Sequence, residues 1–163
     1  MFNYFLLAFI SGALVKIVDE LSDKRNKLAA YLFGAAYGIV IGHLISSASF
    51  SMLFLGALIA QVVARKIDKG SHMLGFLFAI MATAYFGVPN LEVFPLLVFF
   101  ALAFLDEQEF KGFLGKITEY RVFLKLGALT FVLFGRVDYL VSVLLFDAAY
   151  LVAEKLAERL QKQ

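Results

Sequence analysis

Carboxylate and imidazole side chains stand at the ends of several long apolar segments, and their types and spacing suggest metal chemistry. The set comprises Asp19, Asp23, Asp68, His72 and Asp106. Several carboxylates near one imidazole can hold Mg²⁺ or Mn²⁺, which take oxygen ligands and bridge to substrate phosphates. The pattern predicts a Mg²⁺ or Mn²⁺ site whose ligands are Asp19, Asp68, His72 and Asp106.

Asp147 differs from these residues because it lies well inside an apolar segment. An intramembrane carboxylate costs ~2.5–3.5 kcal/mol on insertion scales and needs a compensating partner or cation. Tyr150 and Glu154 follow three and seven residues later, so the three side chains share one helical face. A helix cap does not explain a position inside a segment. Asp147 is therefore predicted to act in catalysis together with Asp19 and Asp23.

Two cationic side chains and an amide accompany the acidic residues at helical spacing. Lys16 precedes Asp19 by three residues, and Gln61 and Arg65 lie seven and three residues before Asp68. Because ammonium and guanidinium groups hold phosphate oxygens, Lys16, Arg65 and Gln61 are predicted to bind the substrate. The alternative is structural, since acidic residues at helix ends also cap helices or pair with cations three residues away.

The stretch from Val15 to Asp23 reads Val-Lys-Ile-Val-Asp-Glu-Leu-Ser-Asp. It resembles the aspartate-rich stretch of polyprenyl-phosphate phosphoglycosyltransferases, in which apolar residues precede Asp-Asp-x-x-Asp at the cytoplasmic end of a membrane span. Glu20 replaces the second Asp, and the rest of the chain carries no counterpart of that family's other motifs. The resemblance covers nine residues and implies chemistry on a phosphorylated lipid.

Seven long apolar segments must position these side chains. They cover residues 2–18, 28–48, 51–66, 72–88, 91–105, 121–135 and 138–156. The chain is 62% hydrophobic and 17% charged, whereas soluble domains carry about 25% charged residues. The pattern predicts an all-α, polytopic bundle forming one transmembrane domain over residues 1–163. Several segments are shorter than the ~20 residues that a span requires, and a six-span alternative, in which the fifth segment or one of the last two is re-entrant, stays open.

The basic residues are distributed unevenly over the connections between these segments. Of the fifteen Lys and Arg residues, all except Arg136 fall on, or within reach of, one side of the predicted bundle. By the positive-inside rule this side is cytoplasmic. The prediction is a multi-pass protein of the cell membrane with its N-terminus outside and its C-terminus in the cytoplasm. An odd number of spans satisfies this orientation.

Small residues recur every four positions along the second segment and form one stripe. The stripe consists of Ala30, Gly34, Gly38, Gly42 and Ser46. In lipid, helices associate through close backbone packing, which small residues permit. We therefore expect tight helix packing within the bundle and consider homo-oligomer formation through such faces.

Two weaker patterns concern the organisation of the chain. Residues 1–70 and 91–160 each contain an apolar segment that ends in Asp-Glu and is followed by a charged connection, which suggests a parallel repeat joined by the fourth segment. Residues 108–120 place apolar side chains at helical spacing between charged ones and predict a short amphipathic helix in the membrane interface; the alternative is an ordinary loop.

Composition narrows the classes of function to three. The chain lacks Cys, which excludes thiolate metal sites, and it has no basic-aromatic pattern that would suggest nucleic acid. The first class is an enzyme of lipid or isoprenoid-phosphate metabolism that uses the predicted metal site, with membrane lipid as its partner. The second is a small cation- or proton-coupled transporter in which Asp147, Lys16 and Gln61 line the path. The third is a non-catalytic accessory subunit.

Overall fold

A computed structural model describes residues 2–24, 26–89, 91–112, 115, 118 and 120–161 of the chain. The described residues form seven helices and no strand: α1 (Phe2–Asp23), α2 (Lys27–Ile45), α3 (Ser51–Val63), α4 (Gly70–Phe86), α5 (Val93–Asp106), α6 (Val122–Val132) and α7 (Val137–Gln161). The prediction of an all-α fold with seven helices is confirmed. Five of the thirteen residues of the predicted amphipathic helix at 108–120 lie outside the described part of the chain, and the helix stays a prediction.

Six of the helices form a closed ring. Around this ring, α2 packs against α1, α1 against α7, α7 against α6, α6 against α5, α5 against α3, and α3 returns to α2. The remaining helix, α4, packs chiefly against α2 and lies outside the ring. Gln61, Asp106 and Asp147, three of the nine predicted site residues, line a cavity inside this ring.

Glycines set the distance between α2 and α4. A Cβ atom added at Gly34 would lie 2.5 Å from the carbonyl oxygen of Ser71, and one added at Gly38 would collide with the carbonyl oxygen of Gly75. Gly42 faces Ala82 in the same way. The small-residue stripe of α2 is therefore used for packing within the chain, and homo-oligomer formation through such faces stays a prediction.

Arg136 joins the connections at one end of the bundle. Its guanidinium donates to the carbonyl oxygen of Ser49 at 2.9 Å and to the carboxylate of Asp138 at 3.2 Å, and it lies 3.5 Å from Glu92. Ser49, Glu92 and Arg136 lie in the connections after α2, α4 and α6, and Asp138 lies in the first turn of α7. The sequence assigns the same three connections to a single face, and the structure brings them together.

Ion pairs join the connections at the opposite end. Lys69 Nζ lies 2.6 Å from Asp23, and Lys66 Nζ lies 2.8 Å from Glu109. Hydrogen bonding to Asp23 raises the pKa of Lys69. The connections after α1, α3 and α5 are therefore held to one another by charged side chains.

Much of the apolar surface of the bundle is open. Leu28, Phe94 and Leu133 are among many large apolar side chains that are more than one-third exposed. Among the described helices, Lys27–Ile45 is long and apolar enough to cross a membrane by length and composition, while four other apolar helices are shorter.

Candidate functional site

A cavity lies inside the ring, and all six ring helices contribute to its wall. Its volume is about 80 Å³, which has room for a few water molecules or a small organic molecule. Aliphatic side chains and the rings of Tyr37, Phe54 and Phe146 form most of the wall. The polar part of the wall consists of Gln61, Asp106, Glu107, Arg121 and Asp147.

Asp147 is the central charged residue of this wall, and its side chain is only 13% exposed. Arg121 Nη1 donates to Asp147 Oδ1 at 3.2 Å. Lys125 Nζ lies 2.6 Å from Asp147 Oδ2, but this ionic contact lacks hydrogen-bond geometry and leaves Oδ2 without a hydrogen-bond partner among the described residues. Two cations therefore compensate the carboxylate that the sequence places inside an apolar segment.

Arg121 is held in an unusual backbone conformation. Its φ of 50° places it in the left-handed region immediately before α6, where few residues other than glycine are found. Its guanidinium lies 5.2 Å from the ring centre of Phe146 and 5.4 Å from that of Tyr150. Strained residues of this kind cluster at functional sites, and this one carries the cation that faces Asp147.

A polar groove lies on the other side of the Arg121–Asp147 pair. The groove has a volume of about 240 Å³ and is lined by Tyr120, Arg121, Lys125, Asp147, Tyr150, Leu151 and Glu154. Since Arg121 and Asp147 belong to both linings, their ion pair separates the cavity from the groove. Asp147, Tyr150 and Glu154 share the groove, which agrees with their predicted common helical face.

Lys16 meets the groove from α1. Its Nζ lies 2.9 Å from Glu154 and 3.4 Å from Glu20, and 5.3 Å from the ring centre of Tyr150. The ammonium group is thus already paired with two carboxylates. The sequence predicts that Lys16 and Gln61 line a transport path together with Asp147. In the structure, Lys16 lies on the groove side of the Arg121–Asp147 pair, and Gln61 lies on the cavity side.

Asp19 and His72 belong to a separate hydrogen-bonded chain. His72 Nε2 lies 2.9 Å from Asp19 Oδ1, and the Tyr150 hydroxyl donates to Asp19 Oδ2 at 3.3 Å. The Tyr37 hydroxyl lies 3.3 Å from His72 Nδ1 and donates to the His72 carbonyl oxygen at 3.2 Å. This chain connects α1, α2, α4 and α7.

Asp106 has a different set of partners. The backbone N–H of Phe123 donates to Asp106 Oδ1 at 3.1 Å, and that of Leu124 donates to Oδ2 at 2.7 Å. Both donors belong to the first turn of α6, and Arg121, the N-cap residue before that turn, makes no side-chain cap. Asp106 therefore caps α6 from the end of α5.

The four predicted metal ligands do not form one set. Asp19 and His72 are in contact, Asp106 is engaged by backbone N–H groups, and Asp68 is exposed. The described residues contain no group of three or more His, Cys, Asp or Glu side chains arranged to hold a metal ion. A Mg²⁺ or Mn²⁺ site on Asp19, Asp68, His72 and Asp106 stays a prediction from the sequence.

The remaining predicted residues lie on the surface. Asp23 pairs with Lys69 at the end of α1, and Arg65 is exposed after α3 with a left-handed φ of 57°. Neither residue lines the cavity or the groove. Their predicted roles in catalysis and substrate binding stay predictions.

Sequence reasoning overlooked the cationic partners of Asp147. Arg121 and Lys125 are spaced four residues apart, which places them on one face at the start of α6. Both had been assigned only to orientation in the membrane. The signal was the intramembrane carboxylate itself, because such a group requires a compensating cation. The cavity-lining tyrosine Tyr37 carried no comparable signal.

No protein-family model, curated protein or solved structure matches this chain. The class that the fold and the site define is an all-α bundle of seven described helices with a charged pair between an internal cavity and a polar groove.

Proposed function

We propose that this chain is a polytopic integral membrane protein of the cell membrane, with its N-terminus outside and its C-terminus in the cytoplasm. The open apolar surface supports this proposal, because soluble monomers rarely expose large contiguous apolar patches. Leu32, Met81 and Leu97, from three different helices, are 64%, 55% and 57% exposed. Lipid tails are the surroundings in which such side chains cost nothing.

The short helices are compatible with this location. Helices α3, α5 and α6 have 13, 14 and 11 residues, fewer than the ~20 that a full span requires. A bilayer accommodates a short hydrophobic length by thinning locally, and flanking Lys and Arg side chains extend toward the interface. Lys66 and Lys111 flank α3 and α5 at the basic end.

Within the membrane, we propose a small cation- or proton-coupled transporter. The observation that carries this proposal is the position of the Arg121–Asp147 ion pair between the cavity and the groove. One path from the cavity toward the basic end passes this pair; a second adjoins Asp106 and Glu107, which also line a pocket with Lys66. Intramembrane carboxylates of this kind serve as proton and ion sites in transporters.

The charge of Asp147 would control whether the Arg121–Asp147 ion pair is closed or open. A proton or cation that binds Asp147 neutralises the carboxylate and removes its attraction for Arg121 and Lys125. The released guanidinium keeps an aromatic face on Tyr150, on the groove side. The cavity and the groove would then communicate until Asp147 is charged again.

The lipid-phosphate enzyme gains less support. That function needs Asp19, Asp68 and Asp106 on one Mg²⁺ or Mn²⁺ ion, and each of the three has its own separate surroundings. The enzyme stays a prediction from the sequence, as does the accessory subunit.

Proton flux into liposomes tests the transport proposal. Purified protein is reconstituted with a pH-sensitive dye inside, and an imposed pH gradient is followed with and without K⁺ or Na⁺ gradients. We expect Asp147→Asn to reduce flux to that of protein-free vesicles, because Asn binds no proton. Glu158→Gln removes an exposed carboxylate from the same helix and should leave flux unchanged. Equal flux for Asp147→Asn and the unaltered protein would refute the transport role.

Cysteine labelling tests the membrane orientation, and the absence of native Cys makes single substitutions unambiguous. Val88→Cys lies in the connection after α4, and Lys111→Cys lies in the connection after α5. A membrane-impermeant maleimide added to intact cells should label Val88→Cys and spare Lys111→Cys. Protein recovered in the soluble fraction, or the reverse labelling pattern, would contradict the proposed topology.

A further inference from the structure

We propose that the central cavity binds a small organic cation with an apolar body, and that this cation takes the place that the Arg121 guanidinium now occupies. The inference rests on the proposed transport function and names its substrate class. Its basis is the surroundings of Arg121 and the composition of the cavity wall.

Arg121 shows what the site recognises, because it is itself an organic cation bound there. Its guanidinium donates to Asp147 at 3.2 Å and lies over the ring of Phe146 at 5.2 Å. A carboxylate combined with an aromatic face is the arrangement by which proteins bind ammonium and guanidinium ligands. Asp147 and Phe146 both line the cavity, so a ligand inside it would meet the same two groups.

The rest of the wall suits an apolar body. Phe54 lies 6.4 Å from Phe146, measured between ring centres, and aliphatic side chains such as Ile41 and Val143 complete the lining. The cavity of about 80 Å³, together with the space that the displaced Arg121 guanidinium vacates, gives room for a small aromatic cation. An apolar lining with a small number of charged groups is the usual composition of a small-molecule site.

The formal charges of the wall select a cation over an anion. Asp106, Glu107 and Asp147 face Arg121 in the lining, and Lys125 Nζ lies 2.6 Å from Asp147, which leaves one net negative charge. The nearby Lys125 contributes to the groove lining. A carboxylate or phosphate ligand would add a fourth negative charge to this space, whereas a cation would reduce the imbalance.

Arg121 also has a place to go when a ligand displaces it. Its guanidinium lies between Phe146 and Tyr150, at 5.2 and 5.4 Å from the two ring centres. Tyr150 belongs to the groove lining. When a ligand contacts Phe146 and Asp147, the displaced guanidinium can therefore still stack on the ring of Tyr150, outside the cavity.

Tryptophan fluorescence provides a direct binding assay, because the chain contains no Trp. Leu151→Trp places one reporter in the groove lining, where the displaced guanidinium would arrive, at a residue that is 38% exposed and outside the cavity wall. The reporter protein, purified in detergent, is titrated with phenyltrimethylammonium, with benzoate and with benzyl alcohol. These probes share an aromatic ring and differ in charge. We expect a saturable change with phenyltrimethylammonium alone.

Three variants in the reporter background separate ligand recognition from folding. Asp147→Asn and Phe146→Leu should each weaken phenyltrimethylammonium binding by about threefold or more, the size expected when an ion pair or a cation–π contact is lost. Arg121→Gln should tighten it by a similar factor, because it removes the competing cation. Glu158→Gln should leave binding unchanged. Far-UV circular dichroism confirms that each variant retains its helices.

A stronger binding constant for Arg121→Gln is the result that a merely structural role would not produce. Saturable binding of benzoate, no saturable binding of phenyltrimethylammonium, or weaker binding by a folded Arg121→Gln variant would overturn the proposal. Proton flux remains a separate measurement. If Asp147-dependent flux persists without phenyltrimethylammonium binding, the substrate class is wrong and the transport function stands. If phenyltrimethylammonium binds but there is no flux, the binding site stands and the transport function is wrong.

Discussion

Asp106 is buried and the Asp147 side chain is 13% exposed, and the two carboxylates are compensated in different ways. Asp106 accepts two backbone N–H groups of α6, whereas Asp147 faces the cationic side chains of Arg121 and Lys125. Backbone donors are fixed by the helix, while side-chain cations can rotate away. Asp106 is therefore suited to a structural role and Asp147 to a role that involves movement.

Replacing Asp106 tests this difference at the level of a single residue. Asp106→Ala removes both acceptors from the first turn of α6, and we expect a loss of about 1 kcal/mol in the free energy of unfolding, as for other helix caps. Asp106→Asn keeps one acceptor oxygen and should lose less. Thermal unfolding in detergent measures both. Equal stability of Asp106→Ala and the unaltered protein would show that the cap contributes nothing.

Single residues also show where sequence reasoning ends. The chemistry of Asp147 follows from its type and its position in an apolar segment. Its partners do not, because Arg121 lies on a different helix and twenty-six residues away. The grouping of Asp19 with His72 was predicted as part of a metal site, and the two are in contact, but Asp68 and Asp106 lie in other surroundings. The direction in which each helix points its carboxylate side chains decides which of them come into contact, and a sequence does not specify it.

At the level of elements, the pairing of α2 with α4 depends on glycine. Gly34 and Gly38 face the backbone of α4, and a Cβ atom at Gly75 would collide with the ring of Tyr37. The stripe on α2 was visible in the sequence as a four-residue repeat. Which helix would cover it was not, because small residues permit close approach without specifying a partner.

Gly38→Ala tests this contact. The added Cβ would meet the carbonyl oxygen of Gly75, so the two helices must separate. We expect a destabilisation of about 1–3 kcal/mol, the usual cost of overpacking. Ile39→Leu, at a neighbouring position that is 45% exposed, serves as the control and should leave thermal stability unchanged. If both variants unfold at the same temperature, glycine is not required at position 38.

At the level of the whole molecule, charged contacts hold the connections at the basic end. The Lys66–Glu109 pair joins the connection after α3 to the connection after α5. Hydrogen bonding from Lys66 holds the pKa of Glu109 below its ordinary value. Glu109 therefore binds fewer protons in the folded protein than in the unfolded chain, and the contact favours folding above the ordinary pKa.

Acidification should open this contact. The stabilisation is complete above the ordinary Glu pKa of ~4.3 and is lost as the pH falls through the lowered pKa of Glu109. Hydrogen exchange of residues 107–112 should therefore accelerate as the pH is lowered from 5 to 3 by more than the intrinsic exchange chemistry dictates. Glu109→Gln should remove this additional dependence. An unchanged profile in Glu109→Gln would assign the effect to another group.

The sequence by itself determined the helices, their order and the separation of charged connections into two ends. These properties can be read from the sequence because they do not require knowledge of which helices meet. The length of an apolar segment is set by consecutive residues, and the charge of a connection is the sum of its Lys, Arg, Asp and Glu residues. The tertiary structure alone decided that six helices close into a ring, that α4 lies outside it, and that Arg121 meets Asp147 between a cavity and a groove. Those outcomes depend on which helix faces meet, and apolar faces of similar composition do not encode their partners individually.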